Sequence, residues 1–304
     1  MKKVFGLIVV LVLCVVLLCG CSATGIMDSK KDYNRGGDTV SGEVESLEVN
    51  WTAGSVTIAY HAENTVIISE SADREIPEDE KLLWKLDGKT LKIEFHKPGL
   101  VKLSTLAKNL TITLPEGRKL TKAEIAATSA DITIPSLQAD EVILGSTSGD
   151  TDASLEAKTV KASSTSGDVK LKLTGKQDRV ETGSTSGHTS LAAEDIEKAS
   201  LGSTSGNISL EAKRFGTVSA ESTSGKITAR AGAFSEMKLG STSGSIDAAL
   251  PQEPGFTAEI STTSGAVNSS IPMANKGNTY TCGDGSGKLN IHATSGDVTL
   301  TPAE

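Results

Sequence analysis

Large rings are scarce in this sequence. Aromatic residues make up 3% of the 304 residues, too few for a core built on them. Apolar packing therefore falls to Val, Ile, Leu and Ala, which suit narrow stacked β-coils. Thiols are nearly as rare. Of four cysteines, Cys14 and Cys19 lie in an N-terminal leader and Cys21 closes it, which leaves Cys282. One thiol closes no intrachain disulfide, so stability has to come from stacking. Cys282 reads as a small buried hydrophobe in preference to a reactive or metal-binding group. Basic charge is lacking too: the formal net charge is −8, and −8 − 2 = −10 once Lys2 and Lys3 are removed. With no basic stripe, nucleic acid is excluded as a partner.

Catalytic signatures are missing as well. There are four histidines and no Gly-x-Ser-x-Gly elbow, so a serine hydrolase has no support, and His188 reads as a surface-loop residue. Gly283-Asp-Gly-Ser-Gly-Lys288 lacks the leading Gly of a phosphate loop and carries Leu289 where Ser or Thr is needed.

What is present begins with an address. Lys2 and Lys3 precede an apolar run from Val4 to Leu18, which ends in Leu18-Cys-Gly-Cys21-Ser22. This resembles a bacterial lipoprotein signal, and the resemblance implies cleavage after residue 20, acylation of Cys21 and an extracytoplasmic, membrane-anchored protein of the cell envelope. An uncleaved span is the alternative reading of the run. Residues 21–41 are polar and Gly-rich and read as a flexible tether.

From Val44 the chain alternates as strands do: Leu47, Val49 and Trp51 on one face, then Val56 and Ile58 past Gly54. Asp87-Gly88 between alternating segments predicts a hairpin with positive φ at both turn residues. Residues 42–124 hold Trp51, Trp84, Phe95, His61 and His96. They read as an irregular cap over the open end of a solenoid in preference to an aromatic sugar platform.

Residues 125–304 repeat. Ser-Thr-Ser-Gly ends at Gly149, Gly167, Gly187, Gly206, Gly225 and Gly244, a Thr-Thr-Ser-Gly form at Gly265 and Ala-Thr-Ser-Gly at Gly296. Ala130 ends a worn first copy. The steps are 167 − 149 = 18, 187 − 167 = 20, then 19, 19 and 19, the mark of a solenoid. Two strands and two corners per coil predict an all-β, single elongated β-solenoid (β-helix). The corner glycines give positive φ or close approach, and the hydroxyls satisfy the bend. After Gly244 the steps lengthen to 21 and 31, which predicts distorted C-terminal coils with Asp297–Leu300 as the last strand.

The residue after each corner Gly could carry a Ca²⁺ column, but it runs Asp150, Asp168, His188, Asn207, Lys226, Ser245, Ala266 and Asp297. Neutral groups and a lysine interrupt the carboxylates, so no metal is expected. Asp131, Asp150 and Asp168 at coil spacing do not match paired-carboxylate glycosidase logic either.

The Ala53-Gly54-Ser-Val56-Thr-Ile58 unit, Lys89-Thr-Leu91-Lys-Ile93, Leu110-Thr-Ile-Thr-Leu-Pro115-Glu-Gly117 and the Thr-Ser-Gly-Asp corners together resemble the bacterial β-strand-repeat candidate adhesins, a family of unknown function. The resemblance covers roughly Val44 to Leu300. It implies a β-solenoid and supplies no catalytic or cofactor-binding residues. The expectation is a lipid-anchored, non-catalytic surface protein without a cofactor, binding a glycan or protein on a solenoid face. An accessory protein of an envelope signalling or stress system, docking a membrane partner, is the second reading, and a carbohydrate-active enzyme the third.

Overall fold

Side chains of an extended chain alternate with a period of two, and in each regular coil that alternation slips at one place. Along Ile208–Ser222 the buried positions are Ile208, Leu210 and Ala212, then Phe215, then Val218, Ala220 and Ser222. Two three-residue steps, 215 − 212 and 218 − 215, bend the chain while the same side stays inward. Ladder pairing continues through this bend, so the two strands of a coil form one bent strand.

The computed structural model describes residues 32–96, 106–253, 255–276 and 279–303. The leader, Cys21 and residues 22–31 of the expected tether lie outside the described residues. The chain is all-β and built of solenoid coils in two compact units. One holds the chain to Ala157 with Ala162–Gly167; the other holds Lys158–Lys161 and the chain from Asp168 onward.

The first unit contains β1 (Asn34–Arg35), β2 (Asp38–Val40), β3 (Ser46–His61), β4 (Val66–Ser71), β5 (Leu83–Asp87), β6 (Thr90–Glu94), β7 (Lys108–Pro115), β8 (Lys119–Ser146) and most of β9 (Thr151–Ser164). β3 pairs in parallel with β8 from Ser46↔Lys122 to Thr57↔Thr133. Its other edge pairs in parallel with β6 and then β7. The chain thus lays down an inner coil first and the outer coil second. β5 covers β6 and β4 covers β7, both antiparallel, with β1 on β5 and β2 on β4. Those antiparallel strands are the irregular N-terminal cap.

Three expectations shift here. Residues 34–35 and 38–40, read as tether, are cap strands β1 and β2. The 124/125 boundary falls inside β8, a 28-residue strand. In the β5–β6 hairpin Asp87 pairs with Thr90, so the central residues are Gly88 and Lys89, and only Gly88 has positive φ, at 61°. That is the pattern of a type II′ turn, which needs a single such residue.

The second unit contains β10 (Val169–Leu173), β11 (Lys176–Gln177), β12 (Arg179–Ser184), β13 (Thr189–Ser203), β14 (Ile208–Ser222), β15 (Ile227–Ser241), β16 (Ile246–Leu250), β17 (Gly255–Thr262), β18 (Val267–Ser269), β19 (Ala274–Lys276), β20 (Thr279–Gly283), β21 (Gly287–Ala293) and β22 (Val298–Pro302). Coils β13, β14 and β15 stack in parallel at a 19-residue offset: Ile208↔Ile227, Phe215↔Phe234, Ser222↔Ser241. Every inward residue therefore sits on its own equivalent.

At the C-terminal end sequence order and spatial order part. β21 pairs with β15 on one side and β17 on the other; β22 lies likewise between β16 and β18. The expected last strand is thus the penultimate layer. The long 31-residue step holds an antiparallel hairpin, β19–β20, which covers β17 and leads the chain back inside. Gly287 makes the insertion possible: a Cβ there would sit 3.1 Å from the Phe234 ring. Across it the Phe234 and Phe256 rings meet at 6.0 Å.

Candidate functional site

The repeat corners are the residues the sequence singles out, and their geometry assigns them a structural task. Ser146 Oγ accepts the Gly149 N–H at 2.9 Å, and the same bond recurs as Ser164–Gly167, Ser184–Gly187, Ser222–Gly225, Ser241–Gly244 and Thr262–Gly265. In these six motifs the first hydroxyl thus satisfies a donor that the bend removes from the ladder. At Ser203 the hydroxyl is buried without such a partner.

None of the corner glycines has positive φ. They are required for close approach alone. A Cβ on Gly206, Gly225 or Gly244 would lie 1.8, 1.9 or 2.0 Å from the carbonyl oxygen of the corner Gly one coil below. The C-terminal column runs Gly244, Gly296, Gly265, the same inverted order as the strands. Ala130 stands in register with Gly54, which takes φ +107°.

The residue after the corner Gly has its own role. Asp131 Oδ1 accepts the Asp150 N–H at 2.9 Å, Asp168 the His188 N–H at 2.7 Å, His188 Nδ1 the Asn207 N–H at 3.2 Å, Asn207 the Lys226 N–H at 2.9 Å, and Asp297 the Ala266 N–H at 2.8 Å. Where the position holds Asp, Asn or His, the side chain is a short acceptor, charged or neutral, for the layer above. That explains why Asp, Asn and His interchange there. Among the described residues no group of three or more His, Cys, Asp or Glu is placed to hold a metal ion. His188→Ala should lose about 1 kcal/mol by removing one acceptor, and His188→Asn should restore most of it. Urea midpoints at constant slope measure both.

Cys282 is 4% exposed, its Sγ 3.8 Å from the Gln252 carbonyl, and burial pushes its thiol pKa up. A buried, protonated thiol is a poor nucleophile. Native protein should therefore react with a thiol reagent far more slowly than unfolded protein, by stopped-flow absorbance.

The expected cap aromatics are core. Trp51 is 2% exposed and Trp84 6%, so neither offers a sugar platform. Trp51 Nε1–H donates to the Lys108 carbonyl at 2.7 Å, and its ring meets Phe95 edge to face at 5.0 Å. His61 Nε2–H donates to the Thr65 carbonyl at 2.6 Å. Beside these rings lies a buried lysine. Lys108 is 1% exposed, with Nζ 3.1 Å from Glu70 Oε2, 2.6 Å from the Glu80 carbonyl and 3.4 Å from the His96 carbonyl. The signal was in the pattern: Lys108 is in phase with inward Leu110, Ile112 and Leu114.

The depression lined by Tyr60, Glu116, Gly117, Arg118, Ser136 and Gln138 holds ≈ 150 Å³, below the ~300–1,000 Å³ of ligand pockets. Outward side chains form columns. Lys170, Ser190, Ser209, Thr228, Asp247, Thr299 and Asn268 stand in register on successive layers, and Lys172, Ala192, Glu211, Arg230, Ala249 and Thr301 form the next column. At the bend, Lys213 pairs with Glu194 at 3.0 Å and Arg214 with Asp195 at 2.6 Å. The Lys213 hydrogen bond holds the Glu194 carboxyl below the usual range. On the opposite face Glu221 lies half-buried against Gly240, and burial raises its carboxyl. Ser261 and His292 Nδ1 meet at 2.9 Å on the exposed surface.

The Toastrack DUF4097 family model matches residues 43–301. The chain belongs to the Toastrack DUF4097 family. The match runs from just before β3 into β22, so the coils and the covers β4, β5 and β19–β20 lie within it, whereas β1 and β2 precede it. Among solved structures, a candidate lipid-binding protein from Parabacteroides distasonis ATCC 8503 is similar at 13% identity over 88% of this chain and 96% of that one, with a TM-score of 0.49. A candidate adhesin from Bacteroides fragilis NCTC 9343 has 14% identity, 88% and 97% coverage and a TM-score of 0.41. A candidate cell adhesion protein from Clostridium sporogenes ATCC 15579 has 15% identity, 88% and 100% coverage and a TM-score of 0.25. No curated protein matches the chain.

Proposed function

We propose that this Toastrack protein is a lipid-anchored, extracytoplasmic, non-catalytic surface protein, adhesin-like, that binds an extended glycan or partner protein along its outward columns. The observation that carries the reading is the register of those columns. Side chains follow one another every ~4.8 Å, the strand spacing; the first column is polar throughout and mostly hydroxyl, and the second mixes Lys172, Glu211 and Arg230 with alanines and a threonine. Weak contacts repeated at fixed spacing add up on an extended ligand, because each bound point raises the effective concentration of the next. A small-molecule enzyme has the opposite need, a recess that excludes water.

The anchor rests on the Leu18-Cys-Gly-Cys21 sequence. Cys21→Ser should abolish fatty-acid labelling and move the protein from the membrane to the soluble fraction; retained labelling would sink the anchor. For the binding face, the chain from Ser22 is applied to an array of envelope glycans, host glycans and matrix proteins. A saturable hit that Lys170→Glu, Lys172→Glu and Arg230→Glu together weaken supports the reading. A hit indifferent to those three, or a blank array, counts against it.

A further inference from the structure

Lys108 places an amine where water does not reach. Its Nζ sits 4.3 Å from the centre of the Phe95 ring and 5.4 Å from that of Trp51. The carboxyl against it, Glu70, is 5% exposed, and Oε1 of that carboxyl accepts the Leu82 N–H at 2.7 Å. A second carboxyl is at hand. Glu80 is 6% exposed, its own backbone carbonyl holds Nζ at 2.6 Å, and its carboxylate, which faces Arg74 Nη2 at 3.9 Å, also acts electrostatically on the amine. Removing an ammonium and a carboxylate from water is unfavourable in so apolar a box. Burial pushes the Lys108 pKa down, against the pull of Glu70. Transfer of the Nζ proton to Glu70 Oε2 would relieve both charges and would leave an amine beside a carboxylic acid.

We propose that Lys108 and Glu70 condense to an intramolecular amide that cross-links β7 to β4, with Glu80 carrying the proton. After the first transfer the Nζ lone pair attacks Glu70 Cδ. The new oxyanion at Oε1 is held by the Leu82 N–H. Glu80 accepts a proton from Nζ and delivers it to the Oε2 hydroxyl, which leaves as water while the C=O reforms. Ammonium plus carboxylate thus become one amide and one water; nothing is oxidised or reduced, and no co-reactant is needed. Two groups fixed in contact act at effective molarities of ~10⁵ M or more, and exclusion of water disfavours the reverse hydrolysis. Glu70 pairs with Leu110 across β4–β7, so the bond would close a loop of 108 − 70 = 38 residues at the cap.

Peptide mapping of the purified, folded chain by mass spectrometry tests this. The expected result is a branched peptide joining Lys108 to Glu70, lighter by one water than its two parts. The Glu80→Gln variant, which keeps the amine and the acceptor carboxyl, should link ~100-fold more slowly or worse, the usual loss of a proton-transferring group. Lys108→Met must give no branched peptide. Unlinked Lys108 and Glu70 peptides from folded wild-type protein after prolonged incubation would overturn the proposal, whether or not either variant folds. Unchanged linking in Glu80→Gln would remove Glu80 from it.

Discussion

Gly225→Ala is expected to lose about 3 kcal/mol or more of stability, whereas Gly88→Ala is expected to lose about 1–2 kcal/mol. The two glycines are used for different reasons. Gly88 has φ 61° and open space around its Cα, with nothing within 4 Å of a Cβ, so alanine there meets only the intrinsic strain of the left-handed region. Gly225 has ordinary φ, but a Cβ would sit 1.9 Å from the Gly206 oxygen and 2.5 Å from its carbon. Backbone cannot yield as a flexible side chain can. Two coils must separate or the corner must break, and the Ser222–Gly225 bond would go with it. Denaturant titration of both variants measures the difference. Equal losses would show that the corner glycines serve conformation after all. At the lower end of the usual native stability, about 5 kcal/mol, the Gly225 change alone would leave about 2 kcal/mol.

Truncation after Ser286 should do more than shorten the solenoid. The removed segment carries buried Leu289, Ile291, Val298 and Leu300, each worth roughly 2 kcal/mol of burial, or about 8 kcal/mol as an upper figure. It also removes the layer between β15 and β17. Hydrogen exchange should then show loss of protection in β17, β18 and the β19–β20 hairpin together, with β13 and β14 still protected. A chain whose coils stacked in sequence order would keep β17 protected on β15. Retained protection at Phe256–Thr262 would therefore refute the inverted order.

Much of the coil interior is legible in the sequence, because repetition exposes the inward phase. Ile208/Leu210, Val218/Ala220 and Phe215/Phe234 are readable from alternation and the 19-residue period. So is the buried state of Cys282. The order of layers at the ends is not readable in this way. Leu289 and Ile291 alternate identically whether their neighbour is β15 or β17, since alternation fixes a face and says nothing of which strand lies alongside. The tether end was misread because Asp38-Thr-Val40 has a single buried side chain; its pairing with β4 comes from backbone bonds, which leave no pattern. The corner Gly offered two reasons for its presence, and only carbonyl distances choose between them. Lys108 is hard to read for another reason: the charge of a lysine favours an outward place, while its phase with Leu110 points inward.

The most direct test of binding along the columns is to remove one coil without changing the register. Deleting residues 208–226 joins Asn207 to Ile227, which is the in-register equivalent of Ile208. The shortened chain should melt cooperatively and keep its cap. Titrated against whichever polymer the array identifies, it should bind several-fold more weakly than the parent, because a row of contacts has been taken from a multivalent face. Unchanged affinity in a folded, shortened chain would contradict binding along the columns and place the site elsewhere in the molecule.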